Sequence, residues 1–310
     1  MRPHETAVQP FHAAKKIQEQ PRRIQEESKK IMNASIPTIP INRLGVCSWS
    51  LRPVDAAELV TAVQRLGLSK IQLALGPVIE SPDAFGDVLA RLDDAGIKVA
   101  SGMLEAVGED YSTLETIKST GGVRPDEHWP ATRDRAERVA DLAGNHGIEL
   151  VTLHAGFIPH HVDDPTRSLV LERLRTLADV FAERNVRVGL ETGQESATTL
   201  LEALHALDHP SVGVNFDPAN MILYDMGDPV EAIRMLATHV VQVHAKDAIK
   251  TSEPGTWGSE VPVGSGQVDW NAFIAEVESM GRPVDVVIER EAGEDRETDI
   301  LVAKRRLRGS

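Results

Sequence analysis

From residue 44 onward, short apolar runs alternate with longer amphipathic stretches, and this alternation restricts the fold more than any other feature. The apolar runs are rich in β-branched residues and lie at 44–49, 70–75, 97–103, 148–154, 186–191, 212–217, 240–244 and 284–289. The amphipathic stretches predict helices at 55–66, 82–95, 131–145, 165–184, 195–207, 228–237, 269–280 and 294–308. Eight strand–helix units within about 265 residues match an α/β fold, the (β/α)8 TIM barrel. We therefore predict a single-domain TIM barrel over residues 41–310.

The main alternative is a doubly wound open sheet, which would carry a glycine-rich nucleotide-binding turn after its first strand. No G-x-G-x-x-G motif follows 44–49, and the GSGQ run at 264–267 lies after the seventh strand instead. Capping or first-turn signals begin several of the predicted helices, at Ser81, Asp164, Asp228 and Asp269. Glycines that suit a left-handed turn end four of them, at Gly67, Gly96, Gly147 and Gly281.

Residues 1–40 differ from the rest of the chain because they are rich in Lys and Arg and poor in aromatic residues. Ile17, Ile24 and Ile31 recur at a constant spacing that could form one weakly amphipathic helix. We interpret 1–40 as an N-terminal extension that is either flexible or a lone helix. No apolar segment follows its paired arginines, so neither a secretory nor a twin-arginine signal is indicated.

Composition restricts the partners and the compartment. The formal charge of −14 argues against nucleic acid, because an acidic surface repels the phosphate backbone. No apolar run approaches the roughly 20 residues of a membrane helix, so no membrane partner is expected. Cys47 is the only cysteine, which excludes an internal disulfide and fits a reducing, cytoplasmic location.

Four side chains that bind divalent metals well stand at the C-terminal ends of the predicted strands five to eight. They are Glu191, Asp217, His244 and Glu289. The C-terminal ends of barrel strands meet at one face of the barrel, where active sites form. Three carboxylates and one imidazole would therefore surround a single point, which predicts an oxygen-rich site for one divalent metal ion.

Alternation along each strand places these residues on the interior face of the barrel. The pairs that share this face are Glu191 with Gly189, Asp217 with Asn215, His244 with Gln242, and His154 with Thr152. The opposite face of the same strands is apolar and suits packing under the helices. Because polar groups in an interior are costly unless they are paired or bind a ligand, the shared face favours a site.

Each of the four residues also has an ordinary structural interpretation. Asp217 could cap a turn, and His244 could be a hydrogen-bonded core histidine. Glu191 and Glu289 could form ion pairs with a neighbouring lysine or arginine. Their joint occurrence at four consecutive strand ends, all with suitable parity, favours the metal site.

Carboxylate oxygens with one imidazole suit Mn²⁺, Mg²⁺ or Co²⁺, whereas Zn²⁺ usually has more nitrogen or sulfur ligands. Such an ion can chelate the carbonyl and the adjacent hydroxyl of a sugar, acidify the C–H bond between them and stabilise an enediolate. Glu191 and Glu289 would flank the bound sugar and act as the catalytic acid and base.

Four further residues are predicted to bind a small-molecule sugar substrate: His154, Asn220, Lys246 and Trp257. Lys246 follows the metal-ligand histidine by two residues on the same face and could hold oxyanion charge. As a loop lysine beside Asp247, it could instead be solvated. Two predicted loops, 104–127 and 245–268, are long, and long loops at this face usually cover a ligand. In the second, Trp257 could stack on a sugar or simply anchor the loop. A homo-oligomer is compatible with the sequence.

These segments resemble the xylose isomerase-like TIM-barrel superfamily of sugar phosphate isomerases and epimerases. The resemblance extends from about residue 44 to 303, and its most specific segments are GLETGQESA, VGVNFDPANMILY, VHAKDA, VPVGSGQVDW and VVIEREAG. It implies that Glu191, Asp217, His244 and Glu289 bind one divalent metal. It also implies that the two glutamates form the acid/base pair.

The sequence departs from the ketose 3-epimerases of this superfamily at three positions. Asn220 stands where those enzymes have His, Ala197 where they have Glu, and Lys250 where they have Arg. The resemblance therefore implies retained metal chemistry on a substrate other than a free ketohexose. The His-x-Lys-Asp pattern at 244–247 is similar to the inosose dehydratase branch, which uses the metal for water elimination beside a ketone.

The leading prediction is a divalent-metal-dependent isomerase or epimerase that acts on a keto- or aldo-sugar or polyol derivative. The alternative within the same chemistry is a dehydratase or lyase acting on a keto-sugar or inosose. An endonuclease IV-like phosphodiesterase would need several more histidine ligands and a DNA-binding surface. A non-catalytic sugar-binding barrel would not require two paired glutamates. No Arg/Lys cluster or P-loop marks a phosphate site.

Overall fold

The structure of the protein, a computed structural model, describes residues 37–253 and 255–309. Its strands are β1 (Leu44–Cys47), β2 (Lys70–Ala74), β3 (Lys98–Met103), β4 (Leu150–Leu153), β5 (Arg187–Glu191), β6 (Val212–Phe216), β7 (Val240–Ala245), β8 (Asp247–Ile249), β9 (Ser259–Val261) and β10 (Asp285–Ile288). Eight of them close into a parallel barrel in the order β1-β10-β7-β6-β5-β4-β3-β2. The remaining two, β8 and β9, form a separate antiparallel pair. The predicted (β/α)8 TIM barrel is confirmed.

Helices alternate with the barrel strands along the chain. They are α1 (Ala56–Arg65), α2 (Gly76–Glu80), α3 (Pro82–Phe85), α4 (Val88–Asp94), α5 (Leu114–Thr120), α6 (Trp129–Asn145), α7 (Pro165–Ala182), α8 (Ala197–Leu207), α9 (Pro218–Leu223), α10 (Pro229–Leu236), α11 (Trp270–Ser279) and α12 (Arg296–Arg308). Their apolar faces and the outer faces of the strands form one core, in which Phe181 of α7 and Leu190 of β5 are buried. The burial of apolar area in this layer is the main stabilising contribution to the fold.

Most of the local signals read from the sequence have the predicted geometry in the structure. The side chains of Asp164, Asp228 and Asp269 each accept a backbone N–H bond at the start of α7, α10 and α11. Ser81 precedes α3 without such a bond. The four predicted glycines all adopt left-handed backbone angles, at Gly67, Gly96, Gly147 and Gly281.

Three helices and one strand pair were not anticipated. The stretch predicted as one helix at 82–95 is divided into α3 and α4, because the chain turns at Gly86 and Asp87. The short helices α2, α5 and α9 lie in loops at the C-terminal ends of strands. The pair β8–β9 organises the long loop after β7, so that loop is more ordered than its length suggests.

The predicted extension over 1–40 lies outside the described residues except for its last four. Within these, Ile39 is buried, and its N–H donates to the carbonyl of Leu307 in α12. Among the described residues, no helix is long and apolar enough to cross a membrane.

Asp247 holds the long loop after β7 against the barrel. Its buried carboxylate accepts hydrogen bonds from five donors: the backbone N–H groups of Ala248, Gly264, Gly266 and Val268, and the indole N–H of Trp270. A side chain at Gly266 would approach Asp247 Oδ1 to 2.1 Å, so glycine is required there. Since this loop carries Trp257 and Glu260 toward the barrel mouth, Asp247 is a structural residue that supports the functional face.

We expect Asp247→Asn to lower the free energy of unfolding by about 2–4 kcal/mol, because the amide nitrogen cannot accept from buried N–H donors. Chemical denaturation measures this loss, and limited proteolysis should show earlier cleavage within 250–265. Glu253→Gln is the matched control, since Glu253 is an exposed acid of the same loop. Equal stability of Asp247→Asn and Glu253→Gln would contradict this account.

Glu195, in the loop between β5 and α8, is a buried carboxyl group, and its Oε2 has no hydrogen-bond partner. Burial raises its pKa from 4.5 to about 8. The folded protein therefore binds a proton at this position over a pH range in which the unfolded chain has released it. Stability from this group is present below about pH 4.5 and is lost as the pH rises toward 8.

We predict that Glu195→Gln removes this pH dependence. Relative to the wild type, the variant should gain on the order of 1 kcal/mol of stability for each pH unit between 5 and 8. Denaturation midpoints across this range measure the difference. Glu172→Gln, at an exposed position of α7, should follow the wild-type curve. Parallel curves for Glu195→Gln and the wild type would show that Glu195 titrates normally.

Candidate metal centre

Four buried side chains converge at the C-terminal mouth of the barrel. Glu191 ends β5, Asp217 follows β6, His244 lies near the end of β7, and Glu289 follows β10. One ligand atom from each lies within 4.8 Å of the others. His244 Nδ1 is 3.3 Å from Glu289 Oε2, 3.5 Å from Glu191 Oε1 and 3.8 Å from Asp217 Oδ2. The structure therefore brings together the four residues that strand parity selected.

The capping interpretation of Asp217 is correct, and it leaves one carboxylate oxygen in the cluster. Its Oδ1 accepts the N–H groups of Ala219 and Asn220 and so caps α9. Its Oδ2 is buried, points into the cluster and forms no hydrogen bond, as is true of His244 Nδ1. Buried polar atoms without partners are costly, and a cation between them would satisfy both. This donor set of three carboxylates and one imidazole could hold a divalent metal ion.

Neighbouring cationic side chains lower the pKa values of the two glutamates in the cluster. Burial by itself would raise the pKa of Glu191, but His154 and His244 outweigh this effect and lower it. Burial likewise opposes ionisation of Glu289, but Lys246 and His244 hold its pKa well below its usual range. Both glutamates are therefore ionised at neutral pH and available as ligands or bases.

Burial would lower the pKa of His244, but the surrounding carboxylates raise it well above its ordinary value. A proton on Nδ1 of the metal-free protein thus occupies the place that a cation would take. Burial raises the pKa of Asp217 to about 6. Metal binding would therefore release a proton, and acid would compete with the ion.

Lys246 is not a solvated loop residue. Its ammonium group is buried, and its Nζ lies 3.0 Å from Glu289 Oε2, 2.6 Å from Glu291 Oε2 and 3.9 Å from Asp217 Oδ2. Burial alone would lower its pKa, but these carboxylates raise it well above its ordinary value, so it stays protonated. The ion-pair interpretation of Glu289 is thus also correct, with Lys246 as the partner.

Two chains of hydrogen bonds inside the barrel orient the cluster from below. In the first, Ser101 Oγ donates to Gln242, Gln242 donates to Asn215, and Asn215 donates to Glu191 Oε2. In the second, Gln72 Nε2 donates to Thr152 at 2.7 Å, and Gln72 Oε1 lies 2.6 Å from His244 Nε2. Gln72 Oε1 can only accept, so it places the proton of a neutral His244 on Nε2 and leaves the Nδ1 lone pair directed at the carboxylates.

A cavity of about 620 Å³ opens above the cluster. All four residues predicted to bind substrate line it: His154, Asn220, Lys246 and Trp257. His154 Nε2 is 3.6 Å from Glu191 Oε1, and Asn220 donates to the same oxygen at 3.0 Å. The Trp257 ring packs edge-on against Tyr224 with their centroids 4.8 Å apart, so it both anchors its loop and lines the cavity.

Several residues of this site were not identified from the sequence. Trp49 follows β1, and its indole N–H donates to Glu289 Oε1 at 2.7 Å. Its position directly after a strand could have marked it as a site residue. A tryptophan, however, is neither a metal ligand nor an acid or base, so its residue type offered no chemical reason to select it. Glu109 and Tyr111 come from the long loop after β3, which was expected to cover a ligand without any residue being singled out. Gln72 and Ser101 lie on β2 and β3, and neither strand ends in a residue that was predicted to bind the metal.

A family model described as xylose isomerase-like TIM barrel matches residues 55–309. The chain belongs to this family. A xylose isomerase domain protein from Planctomyces limnophilus has a solved structure that is 33% identical and covers 81% of this chain and 91% of its own, with a TM-score of 0.76.

Two curated relatives of this chain are enzymes. The 3-oxo-isoapionate decarboxylase of Pectobacterium atrosepticum is 30% identical over 129 residues, 40% of this chain and 46% of the relative. The 3-dehydroshikimate dehydratase of Bacillus anthracis is 29% identical over 128 residues, 36% of this chain and 45% of the relative. The matches span less than half the length of either curated relative. By their names, these two relatives are therefore a decarboxylase and a dehydratase.

We predict that Gln72→Leu weakens binding of Mn²⁺ or Mg²⁺ by about 10- to 100-fold, because His244 loses the acceptor that fixes its tautomer and ring orientation. Titration calorimetry measures the affinity, and ¹⁵N chemical shifts of the His244 ring report which nitrogen carries the proton. Gln64→Leu, on the exposed face of α1, is the matched control. Wild-type metal affinity together with an unchanged tautomer in Gln72→Leu would rule out this role.

Proposed function

We propose that this protein is a divalent-metal-dependent isomerase or epimerase acting on a keto- or aldo-sugar or a polyol derivative. The observation that carries the proposal is the pairing of two ionised glutamates, Glu191 and Glu289, with two buried atoms that lack partners, Asp217 Oδ2 and His244 Nδ1. Mn²⁺, Mg²⁺ or Co²⁺ fits this donor set. When bound, the ion would supply Lewis-acid polarisation of a carbonyl and its neighbouring hydroxyl.

The protein's own residues would move the proton. Glu191 and Glu289 belong to barrel strands separated by β6 and β7, so they approach a bound substrate from different sides. One carboxylate would remove the proton next to the carbonyl, and the same or the other one would return it. Glu191 is held for this task by Asn215 and Asn220.

The second glutamate is positioned by different neighbours. Trp49 donates to its Oε1, and Lys246 lies beside its Oε2. As a permanently protonated group, Lys246 would stabilise negative charge that develops on a substrate oxygen. The aromatic rings of Trp49 and Trp257 at the cavity wall would shield the reacting carbon from water.

Water elimination next to a ketone is the second candidate. It uses the same proton removal, and the Lys246 ammonium could hold the departing hydroxyl group. The similarity to a dehydratase and a decarboxylase supports a lyase of this kind. The two reactions differ only in the fate of the carbanion equivalent, so the metal and Glu191 and Glu289 have the same roles in both.

We expect protein purified without chelator to contain stoichiometric divalent metal. Glu289→Gln should reduce metal affinity by at least about tenfold, because a charged ligand becomes a neutral one. Elemental analysis and titration calorimetry measure content and affinity. Glu294→Gln serves as a control on an exposed acid of the same loop. A metal-free wild type, with Glu289→Gln indistinguishable from it, would refute the metal centre.

The reaction class can be read from isotope incorporation. In D₂O, keto-sugars, inososes and 3-keto-glycosides incubated with the metal-loaded protein should gain deuterium at the carbon next to the carbonyl, as followed by NMR. Incorporation with a rearranged sugar indicates isomerisation or epimerisation, and loss of water or of an aglycone indicates elimination. Glu191→Gln should abolish the exchange. If no substrate exchanges in the presence of bound metal, proton transfer is not the function.

A further inference from the structure

The cavity above the metal centre is walled largely by acidic side chains. Five glutamates line it: Glu105, Glu109, Glu260, Glu289 and Glu291. The only lysine among its described lining residues is Lys246, and no arginine lines it. Negative charge therefore dominates the walls as well as the ligand cluster beneath them.

The positive charges near the cavity are already engaged. Lys246 contacts Glu289 and Glu291, as described above, and His154 lies against Glu191. A guanidinium behind the wall, that of Arg290, is bound to Glu260 at 2.7 Å and to Asp299 at 2.8 Å. Each of these three cations has a carboxylate partner, and Lys246 lies beside the ligand cluster, so none of them faces the part of the cavity away from the metal centre.

Two further wall glutamates have no described cation within ion-pair distance, although burial raises the pKa of Glu109 and the charge of His154 opposes that rise. Glu105 and Glu109 come from the loop after β3 and form no ion pair with any residue in the described ranges. Glu109 Oε1 accepts only the backbone N–H of Gly122. The Glu105 side chain is exposed at the cavity, where its charge acts on whatever enters.

Aromatic rings form the remainder of the wall. The chain contains only two tyrosines and four tryptophans, yet both tyrosines and two of the tryptophans line this cavity. They are Trp49, Tyr111, Tyr224 and Trp257. Such rings pack against the C–H faces of a sugar or cyclitol and do not require any charge on the ligand.

We propose that the site takes an uncharged keto-sugar or cyclitol and rejects analogues that carry a carboxylate or a phosphate. This substrate class rests on the proposed metal-dependent function, because the metal would bind the carbonyl end that all such compounds share. Away from the metal and Lys246, an acidic group would face Glu105 and Glu109, which have no ion-pair partner among the described residues. The remaining hydroxyl groups of a neutral sugar would meet carboxylate acceptors and aromatic faces instead.

The test compares ligands that differ only in charge. A neutral inosose is set against its monophosphate, and methyl 3-keto-β-D-glucopyranoside against the corresponding uronate. Calorimetry with the Mg²⁺-loaded protein measures each affinity. We expect the better-bound neutral ligand to bind at least about tenfold more tightly than its charged partner, with the ratio falling as salt is added. An anionic member that binds as tightly as its neutral partner, or no detectable binding of either neutral ligand, overturns the proposal.

Variants test whether the wall causes the discrimination. Glu105→Lys and Glu109→Gln should each shift the ratio of neutral to anionic affinity toward the anion by several-fold. Glu172→Lys, which makes the same charge change as Glu105→Lys on the exposed face of α7, should leave the ratio unchanged. If Glu105→Lys and Glu172→Lys alter the ratio equally, the net charge of the protein and not the wall is responsible, and the proposal fails.

The two proposals fail separately. Stoichiometric metal and deuterium exchange together with a preference for anionic ligands would overturn the substrate class and leave the proposed function standing. A preference for neutral ligands in a protein that neither binds metal nor exchanges protons would overturn the proposed function and leave the charge selectivity of the cavity standing.

Discussion

The mutual repulsion of three buried carboxylates around one imidazole nitrogen is the constraint on which the rest of the site depends. Glu191, Asp217 and Glu289 lie within a few ångströms of each other around His244 Nδ1, in a place with almost no access to water. Such an arrangement is unfavourable without a compensating positive charge. Lys246 and a proton on His244 supply part of it, and a divalent cation would supply the remainder. The cluster could therefore hold a divalent cation.

The interior of the barrel makes this arrangement rigid. Below the cluster, the strands replace apolar filling with hydrogen-bonded polar side chains that lead to Glu191 and His244. Above it, the buried carboxylate of Asp247 ties the long loop after β7 to the barrel, so that Trp257 stands at the mouth. Positioning from both sides limits the ligand atoms to one geometry, as a site for a small cation requires.

The chemistry and the selectivity of the site reside in different layers. Under the proposed function, the cluster would remove a proton beside a carbonyl, and this step is common to isomerases, epimerases and dehydratases. The glutamates and aromatic rings of the cavity wall would then decide which molecule can present that carbonyl. Of the departures from the ketose 3-epimerases, Asn220 lines the cavity and donates to Glu191. Lys250 is exposed and pairs with Asp225, away from the ligand cluster.

The sequence by itself determined the barrel and the four strand-end positions that form the buried cluster, because both follow from local patterns. Eight apolar runs specify eight strands, and the period of two along a strand assigns each residue to a face. The sequence could not decide between the alternatives for Asp217 or Lys246, because the same residue types serve in helix capping, ion pairing and metal binding. Only the tertiary structure showed that Asp217 caps a helix with one oxygen and offers the other to the cluster. Likewise, Gln72, Trp49 and the acidic wall depend on contacts between segments far apart in the chain, which no local period encodes.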